Sequence, residues 1–250
     1  MLKLILGLIL GYLLLCLIMF AWQSRLIYYP QPRLINAPES TMLLAVEGAE
    51  LVVTVAQHKG PKAIVYFGGN AEDVSLNLPL LTQTFPDTAL YLLHYRGYGG
   101  STGSPSQQHN QQDALALFDY VFGQHEDITL IGRSLGTAMA LFVASQRPVS
   151  KQLLITPFDS LQDVAAAQFS YLPVRYLMRD RYDVSELAPA VTAATHLLIA
   201  GKDELIPRAS SERLYGRFAL GIATMEVAPS ANHNSVGNTA EFWSALRALQ

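Results

Sequence analysis

The chain has 250 residues, a length that suits one large domain or two small ones. Its formal charge of −3 comes without any stripe of Lys or Arg, which argues against nucleic acid as a partner. The single cysteine, Cys16, excludes internal disulfides and cysteine-based zinc sites and leaves the redox compartment open.

Half of the residues are hydrophobic and 15% are charged, and the mean hydropathy of +0.22 is high for a soluble protein. Much of that excess lies in LILGLILGYLLLCLIMFAW, the uncharged run from Leu4 to Trp22. At ~1.5 Å per residue a helix of this run reaches about 28 Å, close to the hydrocarbon thickness of a bilayer. Lys3 and Arg25 flank it, and Trp22, Tyr28 and Tyr29 stand where an interfacial aromatic belt would sit. A cleaved signal peptide is the alternative. Against it, the run is longer than a typical h-region and no small-x-small cleavage site follows. The expectation is an uncleaved, single-pass transmembrane anchor over residues 1–22. No group in it is assigned to catalysis, so the anchor is expected to be separable from the catalyst. The flanking charges do not fix which side of the membrane the rest occupies.

Residues 23–38 carry three prolines, Pro30, Pro32 and Pro38, and read as a linker. From residue 39 to 250 apolar, β-rich runs alternate with helix-like stretches. The strand candidates are Leu51–Val55, Ala63–Phe67, Ala89–Tyr95, Ile128–Ile131, Gln152–Ile155 and His196–Ala200. Nearly continuous apolar runs of this kind suit strands covered on both faces. Asp113–Phe122, Leu135–Gln146, Ser210–Phe218 and Thr239–Leu249 have helical length and spacing. The alternation predicts an α/β fold: a mostly parallel central sheet with right-handed crossovers and helices on both faces. Residues 158–190, with the sequence FSYLPVRYLMRDRYDV inside, are too long for an ordinary connection and read as a small helical, lid-like insertion over the carboxyl edge of the sheet.

Gly132-Arg133-Ser134-Leu135-Gly136 matches G-x-S-x-G. The pattern alone is weak, but a strand runs directly into it and a helix, LGTAMALFVASQ, leaves it. That strand-turn-helix context is what a nucleophile elbow requires. A serine hydroxyl is a poor nucleophile unless a histidine takes its proton and a carboxylate fixes the histidine's tautomer. On such an elbow the acid and then the histidine follow the serine in the chain. Only His196 and His233 come after Ser134, and His196 opens a predicted strand. His233 lies in PSANHNSV, a polar loop before the last helix, and is the choice. Asp203, directly after HLLIAG, is the preferred acid, and Asp159, after the preceding strand, is the alternative. For the oxyanion hole, Phe67-Gly68-Gly69-Asn70-Ala71 supplies a glycine-rich turn after a strand. The N–H of Leu135 is expected to work with that of Asn70, or with that of Gly69 as second choice.

The anchor, RLIYYP, GGNAED, YRGYGGSTGSPS, GRSLG, LPVRYLMRDRYD, GKDELIP and the His233 loop together resemble the α/β-hydrolase superfamily. The resemblance is to the membrane-anchored serine-hydrolase branch that includes protein depalmitoylases and lysophospholipid lipases. It implies a triad of Ser134, Asp203 and His233 and an oxyanion hole at Asn70 and Leu135. In two places the chain departs from the pattern. Gly68 stands where the turn commonly has histidine, and His94 stands where an aspartate often precedes YRGYG.

These readings converge on a serine hydrolase that cleaves a carboxylic ester or thioester through an acyl-enzyme. The expected partners are a small-molecule or lipid acyl ester and the membrane, with no cofactor and no metal. A peptidase of the same fold and a non-catalytic membrane-bound binding protein are the competing readings. Arg175, Arg179 and Arg181 in the insertion either meet a phosphate or carboxylate or are salt-bridged lid residues.

Overall fold

The computed structural model describes residues 1–250. The apolar run forms helix α1 (Leu2–Ile27), which is long and apolar enough to cross a membrane. It continues through Gln23–Ile27, where the linker was expected to begin. No proline or glycine interrupts those residues, and Pro30 is the first breaker.

After it come β1 (Thr41–Val46), β2 (Ala49–Ala56), β3 (Lys62–Phe67), α2 (Leu78–Thr84), β4 (Ala89–Leu93), α3 (Gln107–Phe122) and β5 (Asp127–Arg133). The second half contains α4 (Leu135–Ala144), β6 (Lys151–Ile155), α5 (Leu161–Gln168), α6 (Val174–Leu177), β7 (Ala194–Ala200), α7 (Arg208–Tyr215), β8 (Ala223–Ala228) and α8 (Ala240–Arg247). One eight-stranded sheet results, in the order β1-β2-β4-β3-β5-β6-β7-β8. The pairs β1/β2 and β2/β4 are antiparallel, and every other pair is parallel.

Strand periodicity divides the core in two. In β3, Val65 and Phe67 join one apolar layer with Leu93, Leu130 and residues of α3 and α4. Ile64 and Tyr66, on the other face, join Leu92, Ile131, Leu153 and residues of α2 and α8. Every residue of α4 except Phe142 is buried, so the helix that follows the elbow is a rigid central element. The chain moves from β3 outward to β4 and then returns to place β5 on the other side of β3. This reversal opens a crevice beyond the carboxyl ends of β3 and β5, where open α/β sheets hold their ligands. Between β6 and β7 the 158–190 segment folds into the short helices α5 and α6 and lies over that edge.

Candidate active site

Ser134 joins β5 to α4 with φ 49° and ψ −115°, a backbone conformation that a non-glycine residue rarely adopts. Such a residue stores ~1–3 kcal/mol of strain and persists only where its neighbours hold it. Here its N–H donates to the Ile155 carbonyl at 2.8 Å. Its own carbonyl accepts from the N–H of Thr137 at 2.9 Å and from the Thr137 hydroxyl at 2.6 Å. The two motif glycines are steric requirements. A Cβ on Gly132 would stand 2.7 Å from the Gly136 carbonyl oxygen, and one on Gly136 would enter the backbone of Phe67 and Gly68. Gly136 thus allows α4 to approach the turn after β3.

His233, on the loop after β8, reaches Ser134 Oγ with Nε2 at 3.0 Å and Asp203 Oδ2 with Nδ1 at 2.8 Å. The side chains of His233 and Asp203 are 8% and 2% exposed, so water does not compete for their contact. Asp203 Oδ1 accepts the N–H groups of Leu205 and Ile206 at 2.9 and 2.8 Å, which fixes the carboxylate plane. Asp159 is engaged elsewhere. It accepts from the Ser210 hydroxyl, from Arg213 Nε and from the Ser160 N–H, and thereby ties the root of the insertion to α7. The cap of α5 is Ser160, whose hydroxyl accepts the Asp163 N–H.

The turn after β3 brings Gly69, Asn70 and Ala71 to the same cavity as Ser134, Leu135 and His233. The Gly69 N–H donates to Glu72 Oε2 at 2.6 Å, which leaves the Asn70 amide as the free donor of the two candidates. As the first helical residue of α4, Leu135 also has an N–H with no partner within the protein. The Asn70 side chain is tied down: Oδ1 accepts from the Tyr98 hydroxyl at 2.8 Å and from the Tyr29 N–H at 3.0 Å, and Nδ2 donates to the Ile27 carbonyl. The turn is therefore fastened to the end of α1.

The cavity holds about 550 Å³, and 17 of its 25 lining residues are hydrophobic, so it suits an apolar ligand with one polar end at Ser134. Its walls come from the insertion, with Phe158, Val164 and Leu172 among them, and from α1, with Met19 and Leu26. Of residues 1–22 only Met19 lines it, and Gln23, Leu26 and Ile27 belong to the continuation of α1 beyond them. Arg175, Arg179 and Arg181 do not line the cavity. Arg175 pairs with Asp163 at 2.8 Å, and the Arg179 guanidinium lies 5.1 Å from the centre of the Phe20 ring.

Glu72 went unassigned at the level of sequence. Its carboxylate, 9% exposed, accepts from the Gly69 N–H, Arg133 Nη1, the Tyr66 hydroxyl and Asn77 Nδ2. Burial works against the charge on Arg133, but its interactions with Glu72 and Tyr66 together outweigh burial and hold the guanidinium pKa above its ordinary value.

No family model matches the chain. An uncharacterized protein of Mycobacterium tuberculosis is 33% identical over 235 residues, covering 87% of this chain and 83% of the relative. The alpha/beta hydrolase domain-containing protein WAV2 of Arabidopsis thaliana is 25% identical over 239 residues, 81% of this chain and 77% of that one. Among solved structures, an esterase of Pyrococcus furiosus superposes with a TM-score of 0.69 at 14% identity, over 89% of this chain and 96% of the esterase.

Proposed function

The chain belongs to the α/β-hydrolase superfamily, and within it we propose a membrane-anchored serine hydrolase that cleaves a carboxylic ester or thioester. One observation carries the proposal: Ser134 Oγ, both ring nitrogens of His233 and Asp203 Oδ2 form one hydrogen-bonded line, with the serine at a strained elbow. The similarity to a protein named an esterase supports an ester over an amide as the scissile bond.

In this reading Asp203 holds the Nδ1–H of His233, which leaves Nε2 free to take the Ser134 proton as Oγ attacks the acyl carbon. The developing oxyanion receives the N–H groups of Asn70 and Leu135. Collapse of the tetrahedral intermediate breaks the bond to the leaving oxygen or sulfur, and His233 returns its proton to that atom. A water then gives a proton to His233 and attacks the Ser134 ester, which releases the acid and restores the serine. The apolar cavity accommodates the acyl part, and α1 supplies the membrane anchor and part of the cavity wall, while Ser134, Asp203 and His233 all lie within residues 39–250.

The test is covalent. A fluorophosphonate should label wild-type protein at Ser134, hydrolysis of p-nitrophenyl esters should stop with labelling, and Ser134→Ala should take up no probe while remaining folded. Labelling that persists in Ser134→Ala sinks the assignment.

A further inference from the structure

Along α1, Tyr12, Cys16, Met19, Gln23 and Ile27 follow one another in steps of three or four residues and so share one helix face. That face, with Phe20 and Leu26 at its edges, is the side of α1 turned to the rest of the protein. Cys16 and Gln23 are the helix's buried residues, while its other faces expose large apolar side chains such as Leu13 and Leu17. The insertion lies along it. The Tyr12 hydroxyl donates to the Tyr171 carbonyl at 3.0 Å, and Arg179 covers Phe20. Gln23 fastens the two together: Nε2 donates to the Leu177 carbonyl at 3.1 Å, and Oε1 accepts the Arg179 N–H at 2.7 Å. Gln23 stands at the end of the apolar run, between Trp22 and Arg25, and a buried amide there is costly unless it is satisfied, which the insertion does. From Tyr12 to Gln23 is about 16 Å of helix, so the insertion flanks α1 well into the apolar run.

Four residues at the end of α1, Met19, Gln23, Leu26 and Ile27, line the cavity that contains Ser134 and His233. The rim is apolar and open: Leu26, Phe169 and Leu205 line the cavity and are still 45%, 40% and 45% exposed. We propose that α1 is part of the substrate site, with the long acyl chain of a bilayer-resident ester or thioester lying between α1 and the 158–190 insertion and its carbonyl at Ser134. The proposal rests on the serine-hydrolase reading above. A cavity walled by the helix that enters the bilayer is continuous with hydrocarbon, so the chain stays in apolar surroundings along its path to the serine.

The experiment uses the full-length protein in phosphatidylcholine vesicles and compares kcat/KM for p-nitrophenyl laurate with that for p-nitrophenyl acetate. In wild type the ratio should be large, since each methylene buried against a wall adds about fourfold. Met19→Trp and Leu26→Trp, which fill the groove, should lower the ratio at least tenfold. Leu17→Trp, on the outward face, should leave it within twofold. Met19→Ala removes bulk, so misfolding through overpacking is avoided, and across a series of p-nitrophenyl esters of rising chain length it should move the best chain length at least two carbons longer. Ratios that stay at the wild-type value in both groove variants overturn the proposal, as does Leu17→Trp lowering the ratio as much as Met19→Trp. An unmoved optimum in Met19→Ala also overturns it. Wild-type protein that hydrolyses neither ester and takes up no fluorophosphonate overturns the hydrolase reading and this proposal with it. An active wild type whose groove variants keep its ratio overturns this proposal alone.

Discussion

Glu72 Oε2 stands 3.0 Å from Arg133 Nη1 and 2.6 Å from the Gly69 amide nitrogen, so one carboxylate joins the residue before the proposed nucleophile to the turn proposed to carry an oxyanion donor. The other oxygen, Oε1, accepts from the Tyr66 hydroxyl and from Asn77 Nδ2, both at 2.7 Å. Four donors converge on one side chain, which sets the distance between the two halves of the site without touching substrate.

Glu72→Gln should therefore damage positioning out of proportion to its size. Turned toward Gly69 and Arg133, the new NH₂ meets two obligate donors; turned toward Tyr66 and Asn77, it requires both to reverse their hydrogen bonds. Either way Arg133 loses its counter-charge, so the buried site loses ~1–3 kcal/mol. The expected result is a kcat lowered about 10- to 100-fold with KM within threefold, and a parallel fall in the rate of fluorophosphonate labelling. A purely structural role would lower the melting temperature and leave kcat of the folded fraction alone, and that outcome would remove Glu72 from the positioning machinery.

Asp203 and Asp159 should respond very differently to the same change. In a well-studied serine protease an acid-to-amide change lowers turnover by ~10⁴ through the wrong histidine tautomer. Asp203→Asn should lose three to four powers of ten in kcat on that scale. Asp159 bonds Ser210, Arg213 and Ser160, so Asp159→Asn should cost about 1–2 kcal/mol of stability and less than tenfold in kcat. The discount reflects Arg213, whose side chain is 57% exposed and stays hydrated when its partner is neutralised. Steady-state kinetics with denaturant melts on both variants decides the matter, and the reverse order would hand the role to Asp159.

Ser134 and His233 were legible because chain order and a strand-turn-helix context are properties of the sequence itself. Asp203 was preferable to Asp159 there only by its place after the later strand, since each follows a strand, and the fold adds the physical reason: Asp159 is occupied by α7. Glu72 and Gln23 gave no signal at all. Their partners Arg133 and Leu177 lie 61 and 154 residues away in the chain. The buried strands were visible as apolar runs. The edge strand β1 and the half-exposed β8, ATMEVA, escaped because neither is covered on both faces, and α2 escaped because Pro79 in its first turn reads as a breaker. The glycine-for-histidine departure at Gly68 also has a local reason: a Cβ there would collide with the Val74 side chain.

Gly136→Ala tests whether the second motif glycine is a packing requirement. The obstacle to its Cβ is the backbone of Phe67 and Gly68, at the base of the proposed oxyanion turn, and backbone cannot swing aside as a side chain does. Overpacking of this sort costs ~1–3 kcal/mol or more. The substitution should lower the melting temperature and also reduce kcat, because relief requires α4 or the turn to move. Gly237→Ala has open space at its Cβ and should stay within ~0.5 kcal/mol of wild type. Equal melting temperatures for the two variants would refute the close approach.

His94, the other departure, predicts a pH dependence. Its ring is 2% exposed, Nε2 pairs with the Thr54 hydroxyl at 2.9 Å, and the far side is packed so closely on Gly99 that a Cβ there would overlap the ring. Burial pushes its pKa down to about 4, with Asp73 opposing the shift and Arg33 adding to it. The unfolded value is near 6.5. Between these two values the unfolded chain binds the proton and the folded chain does not, so stability rises with pH through this window. The contribution is complete above about pH 6.5 and is lost as pH falls from there through 4. A shift of this size corresponds to about 3 kcal/mol. His94→Gln keeps a neutral partner for Thr54 and removes the titration. Unfolding free energies from urea melts at pH 7 and pH 4 should therefore differ by about 3 kcal/mol less in the variant than in wild type. Comparing differences cancels other groups that titrate in both proteins, including His196, whose pKa burial also lowers. Parallel profiles for the two proteins would mean that His94 is protonated in the native state with a pKa near its unfolded one, and that its contact with Thr54 survives the charge.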